Sequence, residues 1–216
     1  MGIQDSKIQI NRPLEEKVGG RMEETKSTLK KIPENQLFYI HTTKEEYYPQ
    51  NDESVHEDAL CYQATSLAHL AAIAEYLHMD SDEVFVDLGC GKGRVLCFMA
   101  QQPIKKVIGV ELRKELVLLS RANIEQLRPR TPVEVVLEDS TTFYTEEGTV
   151  YYMFNPFGIE TVRSVLENIK RSFVARPRPI RIVYNNCVYG QCIDKQYWLE
   201  REGKIGPTGI TVWHTK

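Results

Sequence analysis

The chain has 216 residues, with 27 Lys and Arg against 30 Asp and Glu, for a net charge of −3. Hydrophobic residues make up 42% and charged residues 26%, the balance of a soluble globular protein with one sizeable core and no second full domain. The slight negative charge gives no general pull toward a polyanion, so nucleic acid is the less favoured partner. No apolar run reaches the roughly 20 residues that a membrane-spanning helix needs.

Five cysteines (Cys61, Cys90, Cys97, Cys187, Cys192) form no CxxC pair, and an odd number leaves at least one without an intramolecular partner. Reduced thiols and a cytoplasmic location are the expectation. The start, Met1-Gly2-Ile3-Gln4-Asp5-Ser6, matches the short pattern for N-myristoylation, a pattern loose enough to arise by chance. A single acyl chain would hold a membrane only marginally.

Residues 1–58 read as a polar N-terminal extension, with Tyr39, Tyr47 and Tyr48 placed to cover a ligand, and residues 59–216 as the folded domain. From Ala59 to His78 apolar residues recur at three- and four-residue spacing, which predicts a helix with one buried face. Val84-Phe85-Val86 is a short apolar run entering Asp87-Leu88-Gly89, which predicts a buried strand that ends in a glycine turn. The alternation then continues: helix 93–101, strand 106–111, helix 114–127, strand 133–138, a loop or helical turn, strand 149–154, helix 159–174 and strand 180–184. Runs at 197–202 and 210–214, joined through Gly203, Gly206, Pro207 and Gly209, predict a closing hairpin. Alternating strands and helices imply a mostly parallel sheet covered on both faces.

The segment Asp87-Leu88-Gly89-Cys90-Gly91-Lys92-Gly93-Arg94 carries the chemistry. Closely spaced glycines between a strand and a helix let backbone approach a ligand, and in open α/β sheets ligands lie at the carboxyl ends of strands. Glu111 closes the second strand, about 20 residues on, where an acid can accept hydrogen bonds from ribose hydroxyls. Asp139 and Ser140 close the third strand and are placed to meet an adenine. A dinucleotide turn wants Gly-x-Gly-x-x-Gly, whose last glycine falls here on Arg94, and Asp87 would repel a pyrophosphate. S-adenosylmethionine (SAM) carries an ammonium and a sulfonium, which a carboxylate favours, so the spacing prefers SAM over a dinucleotide.

These residues, with Val107-Ile108-Gly109-Val110-Glu111 and Glu138-Asp139-Ser140, resemble the class I SAM-dependent methyltransferase family over residues 60 to 215. The resemblance implies a Rossmann-like three-layer α/β/α sandwich, its mostly parallel seven-stranded sheet ending in a C-terminal antiparallel hairpin. It further implies that Asp87 with Gly89, Cys90, Gly91 and Gly93 holds the methionine part of SAM, Glu111 and Leu112 the ribose, and Asp139 with Ser140 the adenine. S-adenosylhomocysteine (SAH) would be the product.

The fourth strand runs into Asn155-Pro156-Phe157-Gly158, where amino-methylating members of the family carry an Asn/Asp-Pro-Pro-Tyr/Phe motif; one proline stands here where the motif has two. The resemblance makes Asn155, Pro156 and Phe157 the acceptor-site candidates, with Asn155 also near the cofactor. An Asn oxygen and a prolyl carbonyl accept hydrogen bonds from an amine, and the ring packs on a planar or cationic acceptor. Tyr39, Tyr47, Tyr62 and Asn185 are further candidates by position. The expected activity is N-methylation of an amine on a small molecule or protein side chain. O-methylation of a small metabolite, or a non-catalytic SAM-binding adaptor, are the alternatives. The histidines show no metal-ligand spacing, so no metal is assigned. Arg171, Arg176, Arg178 and Arg181, around Pro177 and Pro179, read as a solvated loop and helix end or as a site for an anionic partner.

Overall fold

The computed structural model describes residues 64–154 and 158–216. Helix α1 (Leu67–Leu77) buries Leu70, Ile73, Ala74 and Leu77, the three- and four-residue spacing of one helical face. The chain from 64 to 66 is not helical, because the Ser66 side chain caps the helix by accepting from the His69 N–H at 3.2 Å. The part of the expected helix before residue 64 lies outside the described residues, as do the candidate cover tyrosines and the acylation pattern.

Strand β1 (Val84–Leu88) follows, then α2 (Arg94–Met99), β2 (Lys106–Glu111), α3 (Lys114–Leu127), β3 (Val133–Leu137), β4 (Val150–Phe154), α4 (Ile159–Ala175) and β5 (Arg181–Asn185). A short helix α5 (Gly190–Asp194) precedes the hairpin of β6 (Leu199–Ile205) and β7 (Ile210–Thr215). The seven strands lie in the order β3-β2-β1-β4-β5-β7-β6. The pairs from β3 through β5 are parallel, and β7 runs antiparallel to both β5 and β6. This is the Rossmann-like sandwich with a reversed hairpin. The strand order changes direction between β1 and β4, the position where such sheets bind ligands beyond their carboxyl ends.

Alternation along the strands divides the core. Phe85, Val107, Val150, Tyr152 and Val183 face the layer of α1, α2 and α3, whereas Val86, Ile108, Tyr151, Met153 and Ile182 pack against α4 and α5. Charged pairs gather at the amino ends of the strands. Arg181 meets Glu83 at 2.7 Å, and Lys106 meets Glu134 at 2.8 Å and Glu147 at 2.6 Å. Neither Asp87 nor Glu111, at the carboxyl ends, forms a salt bridge with a described residue.

Candidate active site

The glycine turn is built where the sequence places it. Beyond β1 the N–H groups of Gly89 and Cys90 both donate to the Val110 carbonyl, at 2.9 and 3.0 Å, which bends the chain off the sheet. Gly89, Gly91 and Gly93 have φ of 83°, 54° and 80°, the left-handed region that other residues adopt only with strain. The Gly93 N–H closes the turn on the Cys90 carbonyl at 2.9 Å, and Gly93 caps α2.

Asp87 and Gly109 are register partners in β1 and β2, and Asp87 and Tyr152 in β1 and β4. Gly109 leaves the space that the turn fills: a Cβ there would sit 2.4 Å from Leu96 Cδ1 and 2.8 Å from Cys90 Sγ. Asp87 is 3% exposed, and its Oδ2 is buried without a hydrogen-bond partner. Burial, with the nearby Glu111 adding to it, pushes the Asp87 carboxyl well above its ordinary range. Glu111 is also buried, but both of its oxygens are used: Oε2 accepts from the Gly91 N–H and Oε1 from the Arg113 N–H, each at 2.9 Å. Burial raises its pKa and these backbone donors pull it back. Burial likewise pushes the Cys90 thiol well up, with Asp87 and Glu111 adding to the effect, so Cys90 packs here as a neutral thiol.

Leu112 is half-buried just past Glu111. The half-buried Asp139 shapes the turn after β3: its Oδ1 accepts from the Thr141 N–H at 2.8 Å, and its carbonyl accepts from the N–H groups of Thr142 and Phe143. Ser140 is buried beside it. Asp87, Glu111, Asp139 and Ser140 therefore line the carboxyl ends of β1, β2 and β3 in spatial order. Asn155, Pro156 and Phe157 lie outside the described residues, between β4 and α4. Tyr62 also lies outside them.

Sequence reasoning missed a buried polar chain on the other side of Asp87. The Tyr152 hydroxyl lies 2.9 Å from Thr65 Oγ1 and receives the Asn185 Nδ2 donor at 3.0 Å. All three residues are at most 3% exposed. Burial raises the Tyr152 phenol far out of the physiological range, so it serves as a neutral hydrogen-bonding group. Tyr152 sits in an otherwise apolar run, Val150-Tyr151-Tyr152-Met153-Phe154; only the shared parity with Asp87 across β1 and β4 marks it. The arginine cluster is largely structural. Arg178 donates to the carbonyls of Gly148, Ser172 and Arg176, Arg181 donates to the Leu77 carbonyl besides pairing with Glu83, and the Arg171 guanidinium lies 4.5 Å from the centre of the Tyr144 ring.

Residues 85–175 match the family described as "Methyltransferase domain". The match marks residues 85–175 as a methyltransferase domain. The domain is 36% identical to a Dictyostelium discoideum protein named histone-lysine N-methyltransferase, H3 lysine-79 specific, over 41% of this chain and 6% of that protein. It is 32% identical to a protein-lysine N-methyltransferase of Saccharolobus islandicus strain REY15A, over 37% of this chain and 50% of that one. The chain thus spans half or less of the length of these curated relatives. A structure named RNA methyltransferase from Salinibacter ruber, in complex with SAH, shares the fold with a TM-score of 0.55 at 21% identity, covering 71% of this chain and 92% of that one. Among the described residues of the domain no helix is long and apolar enough to cross a membrane.

Proposed function

We propose that this methyltransferase domain transfers a methyl group from SAM to an amine of a small molecule or of a protein side chain. The observation that carries the cofactor assignment is the carboxylate pair at the carboxyl ends of β1 and β2, with Asp87 Oδ2 buried and unpartnered. A buried carboxylate without a partner is costly, and a ligand bearing an ammonium and a sulfonium offsets that cost. A pyrophosphate in the same place would be repelled. The residues present therefore fit SAM, which when bound supplies an electrophilic methyl group on its sulfonium.

Asp87 with Gly89, Cys90, Gly91 and Gly93 would hold the amino-acid arm, Glu111 and Leu112 the ribose, and Asp139 and Ser140 the adenine. Each Glu111 oxygen accepts one backbone N–H and, having two lone pairs, keeps room for a ribose hydroxyl. Asn155, Pro156 and Phe157 continue directly from β4, so the acceptor they would receive lies on the β4 side of Asp87. The Thr65–Tyr152–Asn185 chain braces that side by tying β4 to β5 and to the segment before α1. An ammonium acceptor must lose its proton before it attacks, and the protein's main tasks are alignment and exclusion of water.

An amine acceptor accords with the lysine-methylating names of the two curated relatives. An RNA acceptor accords with the names of three further curated relatives from Chlamydia species, 28–34% identical and called uncharacterized RNA methyltransferases, and with that of the solved neighbour. Against RNA stand the net charge of −3 and the engagement of Arg171, Arg178 and Arg181 within the fold. The deciding experiment supplies isotopically labelled SAM with separate pools of small amines, protein and RNA, and identifies products by mass spectrometry. Label on an amine nitrogen is the expected result. Label on a hydroxyl or on RNA would overturn the amine reading, and the absence of any product across all pools would favour a non-catalytic SAM-binding role.

A further inference from the structure

Two peptide groups at the crest of the glycine turn are tethered from outside it. The Gly91 N–H donates to Glu111 Oε2, and the Lys92 carbonyl accepts from Asn123 Nδ2 on α3, both at 2.9 Å. Because the Gly93 N–H also donates to the Cys90 carbonyl, the peptide unit between Lys92 and Gly93 is fixed through both its oxygen and its hydrogen. Asn123 reaches the turn from a buried helix face that otherwise carries Leu116, Val117 and Leu127, with Ser120 as the other polar member. Asn123 is 4% exposed, and a buried amide in such a face gives up apolar burial that a leucine would provide. Ser120, one helical turn earlier, abuts the same segment: a Cβ added at Gly93 would lie 2.3 Å from its Oγ.

We infer that Asn123 is a positioning residue for the cofactor, holding the glycine turn in advance in the form that receives the amino-acid arm of SAM. The inference rests on the cofactor assignment above and adds to it a residue that acts from a helix behind the turn. Removing the Asn123 amide takes away one of the tethers on the buried Lys92–Gly93 peptide and loosens it against the Gly93 N–H bond to Cys90. Ligand binding must then order that peptide, which lowers affinity. Glu111, Asp139 and Ser140, which would hold the adenosine half, keep their own positions.

The test is calorimetric titration of SAM, SAH and 5′-methylthioadenosine, which lacks the amino-acid arm, into wild type, Asn123→Ala and Asn123→Asp, with thermal unfolding of each protein. The isosteric Asp variant retains the packing while replacing the donor with an acceptor. The expected result is an affinity for SAM and SAH about tenfold lower in either folded variant, against an unchanged affinity for 5′-methylthioadenosine. Equal affinity of wild type and variants for SAM, or an equal loss for all three ligands, would overturn the positioning role and leave Asn123 a packing residue. A folded wild type that binds none of the three would overturn the cofactor assignment itself, and this inference with it.

Discussion

Asp87 is a carboxylate held where water scarcely reaches it, and that burial makes it expensive in the ligand-free protein. Its folded pKa is raised above the ordinary 3.8, so the folded state keeps a proton that the unfolded chain releases. Its contribution to stability is therefore fully present below about pH 4 and is lost as pH rises toward the folded value. Asp87→Asn should raise the melting temperature of the ligand-free protein at pH 8, by about 2–4 °C for each kcal/mol recovered. The same variant should bind SAM at least tenfold more weakly, about 1.4 kcal/mol. Titrations across pH should also show SAM gaining affinity relative to SAH as pH rises, because ionised Asp87 attracts the sulfonium and gains nothing from a neutral thioether. A SAM-to-SAH affinity ratio independent of pH would place Asp87 away from the sulfonium. On the other side of β1, Tyr152→Phe strips a buried hydroxyl from between Thr65 and Asn185. That loss should cost about 1–3 kcal/mol, readable by denaturant unfolding, since both partners stay buried.

At the scale of elements, Gly109 shows how β2 makes room for the turn that follows β1. Gly109→Ala would drive a methyl group into Leu96 and Cys90, and should cost about 1–3 kcal/mol of stability as well as SAM affinity, because Cys90 belongs to the turn. Thermal unfolding and cofactor titration together check this, and a variant with unaltered affinity would show that the turn does not feel its neighbour. Much of this layer was legible in the sequence. The strand at 106–111 and the helix at 114–127 fall where hydrophobic periodicity puts them, and the glycines of the turn take the positive φ values their spacing suggests. Helix α5 was not legible, since five residues, Gly-Gln-Cys-Ile-Asp, are too few to display a period. The start of α1 at Leu67 depends on the Ser66 cap, which competes with an apolar pattern that extends further back. Tyr152, Thr65 and Asn123 escaped notice for a shared reason: each acts through a partner at least 31 residues away, and only strand register and helix packing bring such pairs together. Asn185 was visible as a polar residue at a strand end, but its partner was not.

Across the whole molecule, charge is sorted along the strand direction. Cation–carboxylate pairs tie the amino ends of β2 and β5 to their surroundings, while at the carboxyl ends Asp87 Oδ2 is buried without a hydrogen-bond partner and Glu111 is held chiefly by backbone N–H groups, with Arg113 nearby. That sorting leaves one end of the sheet for structure and the other for a positively charged ligand. The C-terminal hairpin completes the sheet on the β5 side, and Trp213 anchors it with no exposed surface and an indole N–H donating to Asp194 Oδ1 at 2.9 Å. Trp213→Ala should cost about 3–5 kcal/mol and lower the melting temperature by on the order of 10 °C, as followed by circular dichroism. A small shift would mean that the hairpin is peripheral to the cooperative core.

Calorimetric titration of SAM into the wild-type protein and into an Asp87→Asn/Glu111→Gln double variant probes the cofactor site most directly. Saturable binding by wild type, with affinity lost in a double variant that remains folded, is the predicted result. Equal binding by the two proteins, or none by a folded wild type, would contradict the assignment of the carboxyl ends of β1 and β2 as the SAM site.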